Sequence, residues 1–163
     1  METTNNSTFV IFLGILVVLN VVNATVVDHC LLGNGTLPDQ VELANCLTPP
    51  CIFYISGNST MTMKFRSPRY MENFAPNAVA LAMGIKVDYP LDQDDACDGV
   101  TNTPCPLAEN EYIEYTYSMY ILPIFPKISF TLEFALVDKD QDNEQFECFR
   151  VEIQLEDLPN GSG

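Results

Sequence analysis

The feature that most constrains the fold is a set of six cysteines, all of which follow one apolar stretch near the start of the chain. An even number of cysteines behind a secretion signal indicates disulfide bonds, and six cysteines allow fifteen pairings. The spacings suggest two short-range bonds and leave a third, long-range bond that would tie the first strand to the last. These pairs are Cys46–Cys51, Cys97–Cys105 and Cys30–Cys148.

Zinc binding is the alternative use of these cysteines. The chain has no C-x-x-C pair, and its single histidine, His29, adjoins Cys30. Structural zinc sites need closely spaced ligand pairs. We therefore expect disulfides, no metal site and no cofactor.

The apolar stretch covers residues 9–22 and is followed by Val22-Asn23-Ala24. An apolar run that ends before a small residue is typical of a cleaved secretory signal, so we predict a signal peptide over residues 1–24. A membrane anchor is the alternative, but the run is short for a bilayer span of about 20 residues.

We expect a domain over residues 25–157 and a disordered tail over residues 158–163. The protein would be secreted to the extracellular space or held in the endolysosomal lumen.

Acidic residues outnumber basic ones by 22 to 7, which gives a formal net charge of −15. A surface of this sign repels nucleic acid and anionic membranes. No basic stripe interrupts the acidic composition, so we exclude nucleic acid as a partner and expect a soluble monomer.

Two acidic clusters could be mistaken for metal sites, one at residues 138–143 and one at residues 92–98. The first begins like a calcium-binding EF-hand loop, which needs glycine at its sixth position and glutamate at its twelfth. Asn143 and Phe149 stand there instead. We therefore predict an acidic hairpin turn at the first cluster and a solvated loop at the second.

Alternation of apolar and polar residues predicts β-strands throughout the domain. The clearest cover residues 112–121, 128–136 and 149–155, each interpreted as a half-buried antiparallel strand with one wet face. Weaker patterns cover residues 79–85, where alanines also allow a helix, and residues 41–43 and 61–65. Six to eight short strands without a long helix predict an all-β sandwich of two antiparallel sheets.

Large side chains dominate the predicted inward faces. Rows of large side chains on the inward faces of strands ordinarily form a filled core. The large inward residues of this chain are Tyr115, Tyr117, Met119, Phe130, Phe134 and Phe149. Tyr89, Ile121 and Phe125 differ because they stand in proline-interrupted segments, where loops would ordinarily be polar. Apolar residues in that setting either patch the edge of a core or line the mouth of an apolar pocket. We interpret residues 84–106 as the rim of such a pocket.

A series of short motifs runs through the chain in a fixed order. They are Asp28-His29-Cys30, Cys46, Pro50-Cys51, Met83-Gly84-Ile85-x-Val87-x-Tyr89-Pro90, Asp95-Ala96-Cys97, Pro104-Cys105-Pro106-Leu107, Phe125-Pro126-x-Ile128 and Phe146-x-Cys148. With this order, residues 28–155 resemble the ML-domain family of secreted lipid-recognition proteins, which includes the Niemann–Pick type C2 sterol carriers and the group 2 mite allergens. The chain looks most like an arthropod member.

The resemblance implies an immunoglobulin-like sandwich whose sheets part to hold one apolar ligand, and the same three disulfide pairs that spacing suggests. It also implies a cavity mouth at Tyr89, Ile121 and Phe125. Tyr89 stands where the sterol carriers have phenylalanine, so its hydroxyl could bond a polar ligand head. Phe134 and Phe149 stand where the sterol carrier has tryptophan, and Lys86 and Asp88 stand where that group has prolines. A sterol and a fatty-acid-like lipid fit these departures equally well.

We therefore predict a non-enzymatic carrier of a sterol, fatty acid or other hydrophobic small molecule. Its candidate ligand-binding residues are Tyr89, Tyr115, Tyr117, Met119, Ile121, Phe125, Phe130, Phe134 and Phe149. An acceptor such as a membrane transporter or receptor would take the lipid. One alternative is a recognition protein in immunity or chemical communication that presents its ligand to a receptor. The other is an interaction module with a filled core.

Sequons for N-glycosylation occur at Asn34-Gly35-Thr36 and Asn58-Ser59-Thr60, both in predicted turns. In a secreted chain such sequons are acceptor sites. We predict glycans at Asn34 and Asn58.

Overall fold

Eight β-strands and one short 3₁₀ helix make up the regular structure of residues 23–159, the part of the chain that this computed structural model describes. The elements are β1 (Gln40–Leu43), β2 (Cys51–Ile55), β3 (Asn58–Arg66), β4 (Phe74–Ala82), β5 (Ile85–Tyr89), the 3₁₀ helix (Ala96–Gly99), β6 (Tyr112–Tyr120), β7 (Ser129–Asp138) and β8 (Glu144–Asp157). All but the last two residues of the predicted signal peptide lie outside the described residues, as do residues 160–163 of the predicted tail. No helix among the described residues is long and apolar enough to cross a membrane.

The strands form a three-stranded sheet in the order β1-β3-β6 and a five-stranded sheet in the order β2-β8-β7-β4-β5. The predicted all-β sandwich is therefore confirmed. Every pair of neighbouring strands is antiparallel except β2 and β8, which run parallel from the pair Cys51 and Ile153 onward. Sequence patterns identified β8 but not β2.

Strand β6 follows its predicted alternation closely. Ile113, Tyr115, Tyr117 and Met119 are buried between the sheets. Thr116 lies on the outward face, where its hydroxyl is 3.0 Å from that of Thr62 on β3. One apolar and one polar face is the expected outcome for a strand that covers a core on one side.

Strand β7 departs from the prediction of a wet outer face. Glu133, Ala135 and Val137 point away from the sandwich interior, yet all three are buried. The N-terminal segment lies against this face, because the backbone N–H groups of Leu31 and Leu32 donate to the Glu133 carboxylate at 2.6 and 3.2 Å. Two N–H donors compensate the burial of this carboxylate.

The predicted strand over residues 79–85 is wrong in both extent and orientation. A turn at Met83 and Gly84, with φ values of 50° and 78°, ends β4 and starts β5. Positive φ at both central residues is what a tight two-residue hairpin requires. The inward face of β4 therefore carries its alanines rather than its larger aliphatic residues, and Met83 is 91% exposed at the turn.

All three predicted disulfides are present. Cys30–Cys148 spans 118 residues of sequence and ties the N-terminal segment to the middle of β8. Next to it, Asp28 and Arg150 exchange two backbone hydrogen bonds of 2.9 and 2.8 Å. The N-terminal segment is thus held to the sheet by a covalent bond and by backbone pairing.

A buried carboxyl group on β8 makes the stability of this fold depend on pH. Glu147 is 5% exposed, and its Oε2 atom has no hydrogen-bond partner among the described residues. Burial, with a smaller contribution from the charge of Asp39, raises the pKa of Glu147 to about 8. The folded protein therefore keeps this carboxyl protonated at neutral pH, whereas the unfolded chain ionises it above about pH 4.5.

We expect the free energy of unfolding to fall between about pH 5 and 8, and Glu147→Gln to remove this part of the fall. At pH 7 the variant should be more stable than the wild type by about 2 kcal/mol. The advantage should shrink at pH 4, where the carboxyl is largely protonated in both the folded and the unfolded state. Urea unfolding at neutral and at acidic pH measures this difference in stability between the variant and the wild type. Glu152→Gln, at an exposed position on the same strand, is the control. Equal pH profiles for the wild type and Glu147→Gln would contradict the assignment.

Candidate functional site

A cavity of about 210 Å³ lies between the two sheets at one end of the sandwich. Its wall is almost entirely apolar. The lining residues are Phe53, Ala80, Ala82, Val87, Asp88, Tyr89, Pro90, Met119, Ile121, Phe125, Pro126, Ile128, Phe130, Leu132 and Leu155.

The cavity exists because β4 presents alanines where the other strands present large side chains. Ala80 and Ala82 line it from the five-stranded sheet, and Met119 lines it from β6. An alanine side chain ends at Cβ, so it leaves space that a leucine or phenylalanine would fill. Because protein interiors otherwise pack like organic crystals, such a gap is a specific feature of the sequence.

Beyond the cavity, the sandwich is filled by four aromatic side chains. The ring of Phe134 lies 5.9 Å from Tyr117, 6.0 Å from Phe149 and 6.5 Å from Tyr115, measured between centroids. These distances are typical of favourable aromatic pairs. None of the four lines the cavity.

The structure thus divides the nine candidate ligand-binding residues into two groups. Five line the cavity, and four form the aromatic cluster beside it. The lining group is Tyr89, Met119, Ile121, Phe125 and Phe130, and the cluster is Tyr115, Tyr117, Phe134 and Phe149. Ligand contact stays a prediction for both groups.

Two aromatic rings stand at the mouth, where the proline-interrupted segments meet. Tyr89 and Phe125 have centroids 5.8 Å apart with an angle of 45° between the ring planes. The Tyr89 hydroxyl donates to the backbone carbonyl of Tyr120 at 2.8 Å, so here it bonds to the protein rather than facing outward for a ligand head. Burial, and then the charge of Asp92, raises the pKa of Tyr89, so this hydroxyl keeps its proton at neutral pH.

Two further tyrosine hydroxyls close the side of the sandwich between β5 and β6. Tyr115 donates to Oε1 of Gln93, and Tyr117 donates to Oδ1 of Asp92, both at 2.6 Å. Burial raises the pKa of Tyr117 well above its ordinary value, and its hydrogen bond to Asp92 adds to the shift. The loop that follows β5 is thereby fixed over β6.

Ten lining residues were not among the candidates from sequence. They are Phe53, Ala80, Ala82, Val87, Asp88, Pro90, Pro126, Ile128, Leu132 and Leu155. Six of these were indicated by the sequence: three lie on predicted inward faces and three belong to the predicted rim. They are Ile128, Leu132 and Leu155, and Val87, Asp88 and Pro90. Ala80 and Ala82 lie in a segment predicted as a strand, where the alanines were considered only as residues that also allow a helix, and their small size was not linked to space in the interior.

The described residues contain no group of three or more His, Cys, Asp or Glu side chains placed to hold a metal ion. The acidic residues 138–143 form the turn between β7 and β8, where the N–H of Asp140 donates to Oδ1 of Asp138 at 2.9 Å.

Asn34 and Asn58 are both exposed. Glycosylation at these two positions stays a prediction.

A family model described as the ML domain matches residues 24–155. This chain belongs to the ML-domain family. The match covers β1 to β7, all but the last two residues of β8, and all six cysteines, so the resemblance inferred from the short motifs is confirmed.

Curated relatives in this ML-domain family include proteins named NPC intracellular cholesterol transporter 2 from Bos taurus and a homolog a of that protein from Drosophila melanogaster. The bovine protein is 23% identical over 117 residues, which is 72% of this chain and 76% of the relative. The Drosophila protein is 25% identical over 119 residues, or 72% of this chain and 78% of the relative.

A solved structure, a Niemann–Pick type C2 protein from the Japanese carpenter ant, superimposes with a TM-score of 0.69. The alignment covers 80% of this ML-domain chain and 99% of the ant protein at 18% identity. At that identity the likeness supports the fold alone, and it agrees with the two-sheet sandwich described above.

Proposed function

We propose that this protein is a carrier that holds the apolar part of a sterol or other lipid between its two sheets. The observation that carries the proposal is the apolar cavity beneath Tyr89 and Phe125. A cavity with apolar walls stays dry until an apolar ligand fills it. Burial of the ligand then contributes about 25 cal/mol for each Å² removed from water, with no catalytic group required.

The relatives named as cholesterol transporters support a lipid as the ligand. The filled-core alternative predicts no space between the sheets, which disagrees with the cavity. The receptor-presenting alternative shares the cavity with the carrier, and the two differ only in what happens to the bound lipid afterwards.

The cavity of about 210 Å³ is smaller than the roughly 300–1,000 Å³ of typical ligand pockets. We therefore expect the mouth to widen when a ligand enters, and part of the ligand to stay outside the protein. The aromatic cluster limits how deep a rigid ligand can go, since it occupies the space beyond the cavity.

The proposal places the protein in an oxidising compartment, outside the cell or in an endolysosomal lumen. All six cysteines form disulfides, as is usual in such compartments. Thr25, which follows the predicted cleavage site, is buried, and its hydroxyl donates to the Cys46 carbonyl at 2.5 Å. A domain that begins at Thr25 is consistent with these contacts.

Native mass spectrometry of the protein secreted by a eukaryotic host tests the proposal. We expect one co-purified lipid per chain and a protein mass that starts at Thr25, and extraction of the lipid should separate sterol from fatty acid by mass. As a control, the same sample should lose the lipid in organic solvent and then take up a fluorescent sterol. A chain that carries no lipid and takes up neither a fluorescent sterol nor a fluorescent fatty acid would contradict the proposal.

A further inference from the structure

We propose that Tyr89 determines which lipid head group this carrier accepts, through a hydrogen bond that a ligand alcohol can replace and a carboxylate cannot. The inference rests on the proposed function and adds the head-group chemistry to it. The hydrogen bond from the Tyr89 hydroxyl to the Tyr120 carbonyl is called the latch below.

The latch joins the two sheets at the mouth. Tyr89 is the last residue of β5, at the edge of the five-stranded sheet, and Tyr120 is the last residue of β6, at the edge of the three-stranded sheet. The next residue after each, Pro90 and Ile121, lines the cavity. A ligand that widens the mouth therefore has to separate these two strand ends.

Among the described residues, the hydrogen-bond donor to the Tyr120 carbonyl is the Tyr89 hydroxyl. The neighbouring Ile121 makes the backbone bonds towards β3, to the Gly57 carbonyl and from the Ser56 N–H. Because bonding directions alternate along an antiparallel pair, the Tyr120 carbonyl faces the free edge of β6. When the latch opens, a hydroxyl donor and a carbonyl acceptor lose their partners beside the ligand.

An alcohol suits both groups, since its oxygen can accept from Tyr89 while its hydrogen is donated to the Tyr120 carbonyl. An ionised carboxylate can only accept, so it would leave the carbonyl without a donor. A hydrocarbon can bond to neither group. The order of preference that follows is alcohol first, then carboxylate and hydrocarbon.

The charges around the mouth act in the same direction. Burial raises the pKa of the Tyr89 hydroxyl, and Asp92 is close enough to raise it further. The nearby cation, Lys86, has its ammonium 3.5 Å from the Asp88 carboxylate, and both side chains lie on the exposed outward face of β5. A ligand carboxylate would add negative charge beside Asp92, whereas an alcohol would not.

Competition with three ligands of equal chain length isolates the head group. A bound fluorescent sterol is displaced at pH 7 by 1-hexadecanol, hexadecanoate or hexadecane, each kept below its solubility limit. For the wild type we expect the alcohol to displace the probe at about one tenth of the hexadecanoate concentration. Tyr89→Phe keeps the ring beside Phe125 but removes the hydroxyl, so the alcohol should lose most of this tenfold advantage. Association of the probe should also become faster without the latch.

Tyr70→Phe is the matched control, because it removes a tyrosine hydroxyl bond, to Oε1 of Glu72 at 2.7 Å, at an exposed position that does not line the cavity. It should keep the wild-type ratio. Equal displacement by alcohol and hexadecanoate in the wild type, or an unchanged ratio in Tyr89→Phe, would overturn the inference while the carrier function stands. If Tyr89→Phe fails to fold, the wild-type ratio alone decides. Failure of the fluorescent sterol and all three ligands to bind would overturn both proposals.

Discussion

Ala80→Phe should abolish lipid binding while making the protein more stable. Ala80 lines the cavity from β4, and its methyl group leaves the space between the sheets open. A cavity of about 150 Å³ accommodates benzene, so a phenyl ring fits within the 210 Å³ present here and leaves little room for a ligand. Filling a cavity commonly adds about 0.5–2 kcal/mol to the free energy of unfolding. The opposite signs of these two effects distinguish a blocked cavity from a damaged fold.

Fluorescent-sterol titration and urea unfolding of the same preparations measure the two effects. Ala75→Phe serves as the control, since Ala75 lies on the outward face of β4 and does not line the cavity. This control should bind sterol like the wild type. If a folded Ala80→Phe binds with wild-type affinity, the ligand sits somewhere other than between the sheets.

Loss of the Cys30–Cys148 disulfide should cost more stability than loss of a short-range one. The bond closes a loop with a sequence separation of 118, whereas Cys46–Cys51 closes one of 5. In the chain-entropy description, the longer closure contributes about 4–5 kcal/mol and the shorter about 2 kcal/mol. Since domains of this size are stable by only about 5–15 kcal/mol, the double variant Cys30→Ala/Cys148→Ala should be largely unfolded well below the melting temperature of the wild type.

Thermal and urea unfolding followed by circular dichroism compare this double variant with Cys46→Ala/Cys51→Ala. The comparison is matched, because both variants replace two half-cystines with alanine and leave the other two disulfides in place. Equal losses of stability in the two would show that packing around the sulfur atoms, rather than loop closure, sets the contribution of each bond.

Patterning predicted the elements that bury one complete face. Strands β6 and β8 alternate over their inward residues, and the burial of Tyr115 and Ile153 follows directly from that alternation. The mouth was predicted for a related reason. Apolar side chains such as Phe125 in a proline-rich segment need a partner, and here the partner is Tyr89.

Patterning failed where burial depends on a neighbour that is distant in sequence. The outward face of β7 is covered by the N-terminal segment, through Leu31 and Leu32 bonded to Glu133, about a hundred residues away. The parallel pairing of β2 with β8 is equally non-local. Nothing in the local composition around Phe53 indicates which strand it will pair with.

The alanine wall that β4 gives the cavity was missed for a different reason, since hydrophobicity identifies what is buried and not what is absent. Along β4, Val79 and Leu81 looked like the inward set because they are larger and more apolar. The inward set is Ala78, Ala80 and Ala82 instead, because the hairpin at Gly84 fixes the register. The position of a cavity depends on which small side chains lie opposite which large ones. Those pairs are known only when the register of several neighbouring strands is known.

The position of β8 also sets an order of events during biosynthesis. The last strand made, Glu144–Asp157, lies between β2 and β7 in the five-stranded sheet. While the chain is still growing on the ribosome, β2 and β7 therefore have unpaired edges, and Cys30 has no Cys148 to react with. Because a ribosome adds about 5–20 residues each second, these edges stay open for several seconds. A truncation before residue 144 would leave both edges open permanently, so it should yield an aggregating polypeptide rather than a smaller folded domain.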